Sequence, residues 1–280
     1  MGWRINKVSV TEIIAVATLM AIAVVLQSLT GNFHIDIFTF PLNIVLVVLW
    51  IWLAVYLYNN RNTIPWAQSL LSMRATWLSL GIMVAVGIYL GVQRDPNATS
   101  WPIVVGTLFT LTHLIFITLR GWRTPNGIRW RFTLLHVGLI LTLGAGFWGA
   151  PDRVQLRAML TPERAADIAY HNNGISTKLD HAIALHALNA QYNESGMPTH
   201  FEATIEVDNK IVTLRVNRPY NRTFAEKIYL LNVDTTTNHC TVEIVREPWQ
   251  WVSLFGIVML LSGAVMLFIR GPRHAANKQC

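Results

Sequence analysis

Six long apolar stretches constrain this chain more than any other feature of its sequence. They cover residues 13–30, 40–58, 76–92, 102–119, 132–150 and 249–269. An uncharged apolar run of about 18 residues or more is long enough to cross a bilayer. Lipid offers no partner for backbone polar groups, so each such run must be helical. The sequence therefore predicts a polytopic α-helical membrane protein with about six spans. We expect the first span to be an uncleaved anchor, because it is long for a signal peptide.

The segment between the fifth and sixth spans, residues 151–248, has a different composition. It holds most of the acidic residues and contains no span-length apolar run. Its runs IALHALNAQY, FEATIEVD, KIVTLRVN and KIYLLNVD are short and largely alternating, and turn residues separate them. This pattern predicts antiparallel strands, and so a β-rich domain. Thr161-Pro162-Glu163 has the residues of a helix start, which predicts a short helix to about His171.

The predicted organisation follows from these two kinds of segment. Residues 1–150 form a five-helix transmembrane region, 151–248 the β-rich domain, and 249–280 a final helix with a tail. Among the short loops and the termini, positive charge separates the two sides of the membrane. One set carries all of it except Arg94: Arg4, Lys7, Arg61, Arg74, Arg120, Arg123, Arg129, Arg131, Arg270, Arg273 and Lys278. This bias predicts that both termini are cytoplasmic and that the β-rich domain is extracytoplasmic. It also accounts for the net charge of +7 without nucleic-acid binding.

Two histidines, His113 and His136, lie inside predicted spans, close to the cytoplasmic ends of the fourth and fifth. At 1.5 Å per residue both sit roughly 6–9 Å inside the membrane boundary. Ionisable groups at that depth are functional candidates, and imidazole is a haem ligand. Three alternatives stay open here: a haem pair within this chain, one ligand completed by a partner protein, or structural hydrogen bonds. On the fifth span, Gly138, Thr142, Gly146 and Ala150 form a small-residue packing stripe. His136 faces away from that stripe.

The other histidines lie in loops or in the β-rich domain, where we expect solvated surface residues. They are His34, His171, His181, His186, His200, His239 and His274. His181 and His186 are five residues apart outside any predicted helix, which makes a poor metal pair. In the 120–131 loop, Arg123, Arg129 and Arg131 are interfacial residues and candidates for contact with haem propionates or lipid phosphates. The two cysteines form no CxxC or CxxCH motif, so the sequence predicts neither a redox dithiol nor covalent haem attachment.

Four segments together resemble the ResB (CcsB) family of cytochrome c biogenesis proteins. LLHVGLILTLGAGFWGAPDRVQLRAML is similar to that family's helix before the outer domain. LHALNAQYNESGMPTHFEATIEV and VNRPYNRTFAEKIYLLNVD resemble its strand patterns, and EPWQWVSLFGIVMLLSGAVML resembles its final helix. The resemblance covers about residues 76–270 in the same order. The β-rich domain is shorter than the family pattern, and the first two spans are additional.

The resemblance implies an accessory, non-catalytic subunit of the system II cytochrome c synthetase in a bacterial inner membrane. It implies a CcsA-type membrane partner, b-type haem shared with that partner, and apocytochrome c as the protein served. By position, His136 corresponds to the family's axial haem ligand, whereas His113 has no counterpart. It also places residues 151–248 in the periplasm. Two other readings remain: a b-type electron-transfer subunit with a His113–His136 haem site, and a structural membrane protein whose β-rich domain binds a partner.

Overall fold

The structure is a computed structural model that describes residues 10–64, 72–94, 97–192, 198–234 and 236–270. The chain folds as two compact units. One comprises Met1–Pro151 together with Trp251–Cys280, and the other comprises Asp152–Gln250. The first unit is built from helices and the second from strands.

All six apolar stretches form helices, as predicted. They are α1 Val10–Thr30, α2 Leu42–Asn59, α3 Met73–Val92, α4 Trp101–Gly121, α5 Trp130–Trp148 and α6 Gln250–Arg270. Each of the six is long and apolar enough to cross a membrane. Local signals fix some ends: the Ser72 hydroxyl accepts a hydrogen bond from the Ala75 N–H, and Pro102 occupies the first turn of α4.

Close packing joins α5 to α6 in antiparallel order. A Cβ on Gly138 would lie 2.7 Å from the Gly256 carbonyl oxygen, and one on Gly263 would lie 2.8 Å from Leu135 Cγ. The predicted small-residue stripe is therefore confirmed at Gly138 and at Thr142, which lies against Gly256. It is wrong beyond that point, because Gly146 faces open space and Ala150 lies in a 3-10 turn after the helix.

Hydrogen bonds set the register between other helices of this unit. Trp50 Nε1 in α2 donates to Thr112 Oγ1 in α4 at 3.0 Å. The side-chain amide of Asn43, also in α2, donates to the Trp148 carbonyl in α5 at 3.0 Å. These polar contacts fix which residues of the neighbouring helices face each other.

The loop between α4 and α5 folds as a small hairpin of β1 Arg123–Thr124 and β2 Gly127–Ile128. Gly127 has a φ of +112°, a conformation that favours glycine over residues with a Cβ. The tight turn brings the chain straight back into α5. The hairpin therefore stays beside the first turns of that helix.

The second unit is an eight-stranded antiparallel sheet. Its strands are β3 Val154–Leu160, β4 Ala166–His171, β5 Ser176–Tyr192, β6 Pro198–Val207, β7 Lys210–Arg215, β8 Tyr220–Asn221, β9 Glu226–Asp234 and β10 His239–Arg246, in the order β7-β6-β5-β4-β3-β10-β9-β8. Side chains alternate as the pleat requires: Leu156, Ala158 and Leu160 are buried, whereas Arg157 and Met159 are exposed. The buried face joins Ile183, Ile205 and neighbours from other strands in one apolar core.

The four predicted strand runs are confirmed as β5, β6, β7 and β9. The predicted helix from Thr161 to about His171 is wrong. Thr161 and Arg164 instead form a bridge across a turn, and β4 follows. Hairpin pairing of β3 with β4 buries Ala169 completely, and this tertiary gain overrides a weak local helix signal.

Candidate functional site

The imidazole of His136 is held one turn inside α5. Its Nδ1 lies 2.9 Å from the Phe132 carbonyl oxygen, and its ring stacks on the Phe132 ring with centroids 3.8 Å apart. A carbonyl oxygen only accepts, so Nδ1 carries the hydrogen and Nε2 keeps its lone pair. No hydrogen bond to Nε2 is found among the residues that the structure describes. A histidine that binds a metal usually donates its other ring N–H to a carbonyl, a carboxylate or water, as His136 does to the Phe132 carbonyl.

His136 lines a cavity of about 580 Å³ within the helical unit. This volume falls in the range of roughly 300–1,000 Å³ that is typical of cofactor sites. The walls come from the β1–β2 hairpin, the start of α5 and the end of α6: Thr124, Asn126, Gly127, Ile128, Arg129, Trp130, Arg131, Phe132, Leu135, His136, Met266 and Leu267. The lining combines one imidazole, two guanidinium groups and apolar surface, which suits a flat apolar ligand with anionic groups.

The three candidate arginines are not equivalent. Arg129 and Arg131 line the cavity, whereas Arg123 is not among its lining residues and lies on the Trp122 ring at 6.0 Å. The Arg129 guanidinium lies 4.9 Å from the Phe132 ring centre and donates to the Gly121 carbonyl at 3.4 Å. The structure therefore brings His136, Arg129 and Arg131 together and leaves Arg123 outside.

His113 occupies a different environment. It is only 2% exposed, and its Nδ1 donates to the Phe109 carbonyl at 2.9 Å. Its ring packs against Phe109 at 4.2 Å and against Phe116 at 5.9 Å. His113 is not among the residues that line the cavity beside His136. The two histidines of α4 and α5 therefore do not line one common cavity.

A short repeat links these two histidines, and the sequence interpretation missed it. Residues 109–113 read FTLTH, and residues 132–136 read FTLLH. In both copies the histidine donates from Nδ1 to the phenylalanine one turn before it and packs on that ring. Phe132 and Met266 were also missed as cavity residues. The repeat was a visible signal for Phe132, whereas Met266 is recognisable only from the packing of α5 with α6.

The β unit contains a second polar cluster, at one side of β5, β9 and β10. Its members are Asp180, His181, Asp208, Arg222, Glu226 and Arg246. The prediction of a solvated His181 is wrong, because its side chain is 3% exposed. His181 Nδ1 donates to Asp180 at 2.8 Å, and Nε2 faces Glu226 at 3.6 Å. His186 instead contacts Glu206 at 2.8 Å, so the two histidines do not form a metal pair.

Asp180, His181 and Glu226 offer ligand atoms that lie within 4.8 Å of one another. Arg222 and Arg246 already bind those carboxylates, with Arg222 3.1 Å from Glu226 and Arg246 2.6 Å from Asp180. A divalent cation would have to displace guanidinium groups that neutralise the same oxygens. The cluster therefore acts as an ion network rather than a metal centre.

The network shifts the acidities of its members. Partial burial raises the pKa of Asp180, but the hydrogen bond from His181 and the charge of Arg246 outweigh it and hold the pKa at about 2. The hydrogen bond from Arg222 lowers the pKa of Asp208. Burial lowers the pKa of Arg222, whereas its bonds to Asp208 and Glu226 raise it by more, so the net shift is upward. These carboxylates therefore stay ionised at neutral pH.

One family model matches the part of the chain that contains the cavity histidine. A model of the ResB-like family matches residues 128–243, which confirms the resemblance predicted from the sequence. A solved structure entitled "Cytochrome c Heme Lyase CcmF" is similar at a TM-score of 0.39 and 9% identity, covering 66% of this chain. The chain spans about a third of that structure, 33% of its length. A comparison with curated proteins gives no match.

Proposed function

We propose that this ResB-like chain is a haem-holding subunit of the system II cytochrome c maturation machinery. His136 supplies one axial ligand of a b-type haem, and a CcsA-type membrane partner supplies the other. The haem is cargo that the assembly passes to apocytochrome c, and this chain acts as an accessory subunit. The observation that carries the proposal is the His136 imidazole, anchored at Nδ1 and free at Nε2 beside a cavity of about 580 Å³. That histidine falls within the residues matched by the family model.

The chemical groups that line the cavity match those that bind haem in proteins. His136 offers a neutral imidazole nitrogen, which is a common axial ligand of haem iron. Arg129 and Arg131 line the same cavity and offer charged donors for propionates. Phe132 and Leu135 supply apolar walls. When bound, haem supplies the porphyrin that the machinery joins to its protein substrate.

The proposed setting is a bacterial inner membrane. The excess of Lys and Arg in one set of loops supports cytoplasmic termini and a periplasmic β unit. In that orientation the start of α5, with His136, lies at the cytoplasmic side, where newly made haem enters. The β unit lies where apocytochrome c is modified. The lipid-facing helices account for the exposed apolar residues of α1, α2 and α3.

Substitution of His136 tests the proposal directly. We expect His136→Ala, expressed in the full chain with a CcsA-type partner, to lose most bound haem and to abolish covalent cytochrome c formation. Added imidazole should restore part of both, because it replaces the missing ligand. His113→Ala is the matched control and should retain haem in the partner complex. If His136→Ala keeps wild-type haem content and cytochrome c yield, the proposal is wrong.

A further inference from the structure

Phe132 holds the His136 imidazole through two separate contacts. Its backbone carbonyl accepts the Nδ1 hydrogen at 2.9 Å, and its ring stacks on the imidazole at 3.8 Å with an interplanar angle of 24°. The carbonyl contact selects the tautomer, because it fixes which nitrogen keeps the lone pair. The ring contact restricts rotation about the Cβ–Cγ bond of His136. The lone pair of Nε2 lies in the imidazole plane, so stacking on the face leaves that nitrogen open.

The Phe132 ring packs directly against Gly121, the last residue of α4. A Cβ at this position would lie 2.5 Å from Phe132 Cε1 and 3.0 Å from Cε2. Any larger residue must therefore push the ring out of its place. Arg129 ties the same parts together, because its guanidinium contacts the ring and donates to the Gly121 carbonyl. The end of α4 thus fixes a ring that in turn fixes the imidazole of α5.

We propose that Phe132, seated against Gly121, is a positioning residue that sets the plane of the His136 imidazole toward the haem iron. This inference rests on the proposed role of His136 as a haem ligand. The orientation of an axial imidazole affects the electronic state of the iron, and packing around the ligand is one of the protein's means of adjusting a haem. The ring of Phe132 therefore acts on the bound haem without needing to contact the iron.

A second Phe–His pair in this chain, Phe109 and His113, provides an internal control for the Phe132–His136 pair. Phe109 and His113 repeat the carbonyl contact at 2.9 Å, but their rings are tilted by 47° and separated by 4.2 Å. His113 does not line the cavity, although its local motif is nearly the same. A change at Phe109 thus perturbs an equivalent helical turn without touching the proposed ligand.

The test uses Phe132→Leu and Gly121→Ala in the full chain with its haem-bound CcsA-type partner. Phe132→Leu removes the ring and keeps the backbone carbonyl, so the histidine tautomer is preserved. We expect both variants to bind haem with altered g-values of the low-spin ferric iron in electron paramagnetic resonance. Haem should dissociate roughly 2- to 10-fold faster, the range expected for loss of one aromatic pair. Phe132→Tyr keeps the ring and should restore the wild-type spectrum.

Phe109→Leu and Gly146→Ala are the matched controls, since Gly146 has open space around it. Both should leave the g-values and the dissociation rate unchanged. Wild-type g-values in Phe132→Leu and Gly121→Ala, while His136→Ala still loses haem, would overturn the positioning role and leave the proposed function standing. Retention of haem by His136→Ala would instead remove the proposed function itself. Size-exclusion profiles show which variants are folded. If Gly121→Ala misfolds, the comparison of Phe132→Leu with Phe132→Tyr still tests the positioning role.

Discussion

Two histidines lie inside apolar helices of this chain, and their surroundings differ. Both His113 and His136 use a backbone carbonyl for Nδ1. His113 is enclosed by aromatic rings, whereas His136 is half-buried beside a cavity with two arginines. The difference lies in what surrounds the imidazole rather than in the local motif. Burial therefore separates a packing histidine from a candidate ligand where sequence depth alone does not.

The proposed haem role makes a separate prediction for the arginines that line the cavity. Arg131→Ala and Arg129→Ala should each weaken haem retention by about fivefold, equivalent to about 1 kcal/mol for one partly exposed charged contact. Arg123→Ala should leave retention unchanged, because Arg123 lies on Trp122 outside the cavity lining. The rate of haem loss is measured by the transfer of haem from the purified partner complex to apomyoglobin. Equal effects at all three positions would point to general surface charge instead of propionate contacts.

Among the elements, α5 and α6 approach each other so closely that their backbones are in contact. A methyl group on Gly256 would lie 2.8 Å from both the Gly138 carbonyl oxygen and the Thr142 amide nitrogen. These are backbone atoms, so the helices must separate to make room. Since α6 contributes Met266 and Leu267 to the cavity, separation of the two helices also opens one wall of that cavity.

Gly256→Ala should therefore destabilise the helical unit by about 1–3 kcal/mol, the usual cost of overpacking. Thermal unfolding of the full chain in detergent gives the change in Tm. Gly146→Ala is the control for the substitution itself, because its surroundings are open and alanine favours the helix. An unchanged Tm for Gly256→Ala would show that the two helices can part without cost.

The elements that the sequence predicted well share one property: their signal is local. Six apolar runs became six helices, and four alternating runs became strands. The segment from Thr161 to His171 was misassigned because its structure depends on pairing with β3, which no local pattern shows. His181 was misassigned for the same reason, since it packs beside Glu226, which is far away in sequence. The cavity beside His136 likewise requires the distant α6.

Over the whole molecule, the helical unit and the β unit depend on different forces. The helices are apolar on nearly every side and hold together by close packing and a few hydrogen bonds. The β unit has an apolar core in which Cys240 is fully buried. Ion pairs of the network connect β5 with β9 and β10. Acid should therefore act on the β unit first, because its carboxylates must stay ionised to hold the network.

The sign of that pH dependence follows from Asp180. Its pKa falls from the ordinary 3.8 to about 2 in the folded unit, so ionised Asp180 stabilises the fold above about pH 4. This contribution disappears as the pH falls from about 4 to about 2. Asp208 acts in the same direction, since Arg222 lowers its pKa too. The β unit should therefore open more readily across that window.

Cys240 reports this opening, because its thiol is buried in the core of the β unit. In a Cys280→Ser background, labelling of Cys240 by a pyridyl disulfide should stay slow down to about pH 4 and accelerate several-fold below it.

Asp180→Asn should label faster even at neutral pH and show a weaker response to acid, because the ionised partner of Arg246 and His181 is gone. Asp167→Asn is the matched control, since Asp167 meets Arg164 at 3.9 Å outside the network. If Asp180→Asn and Asp167→Asn follow the wild-type curve equally, the ion network does not set the acid stability of this unit.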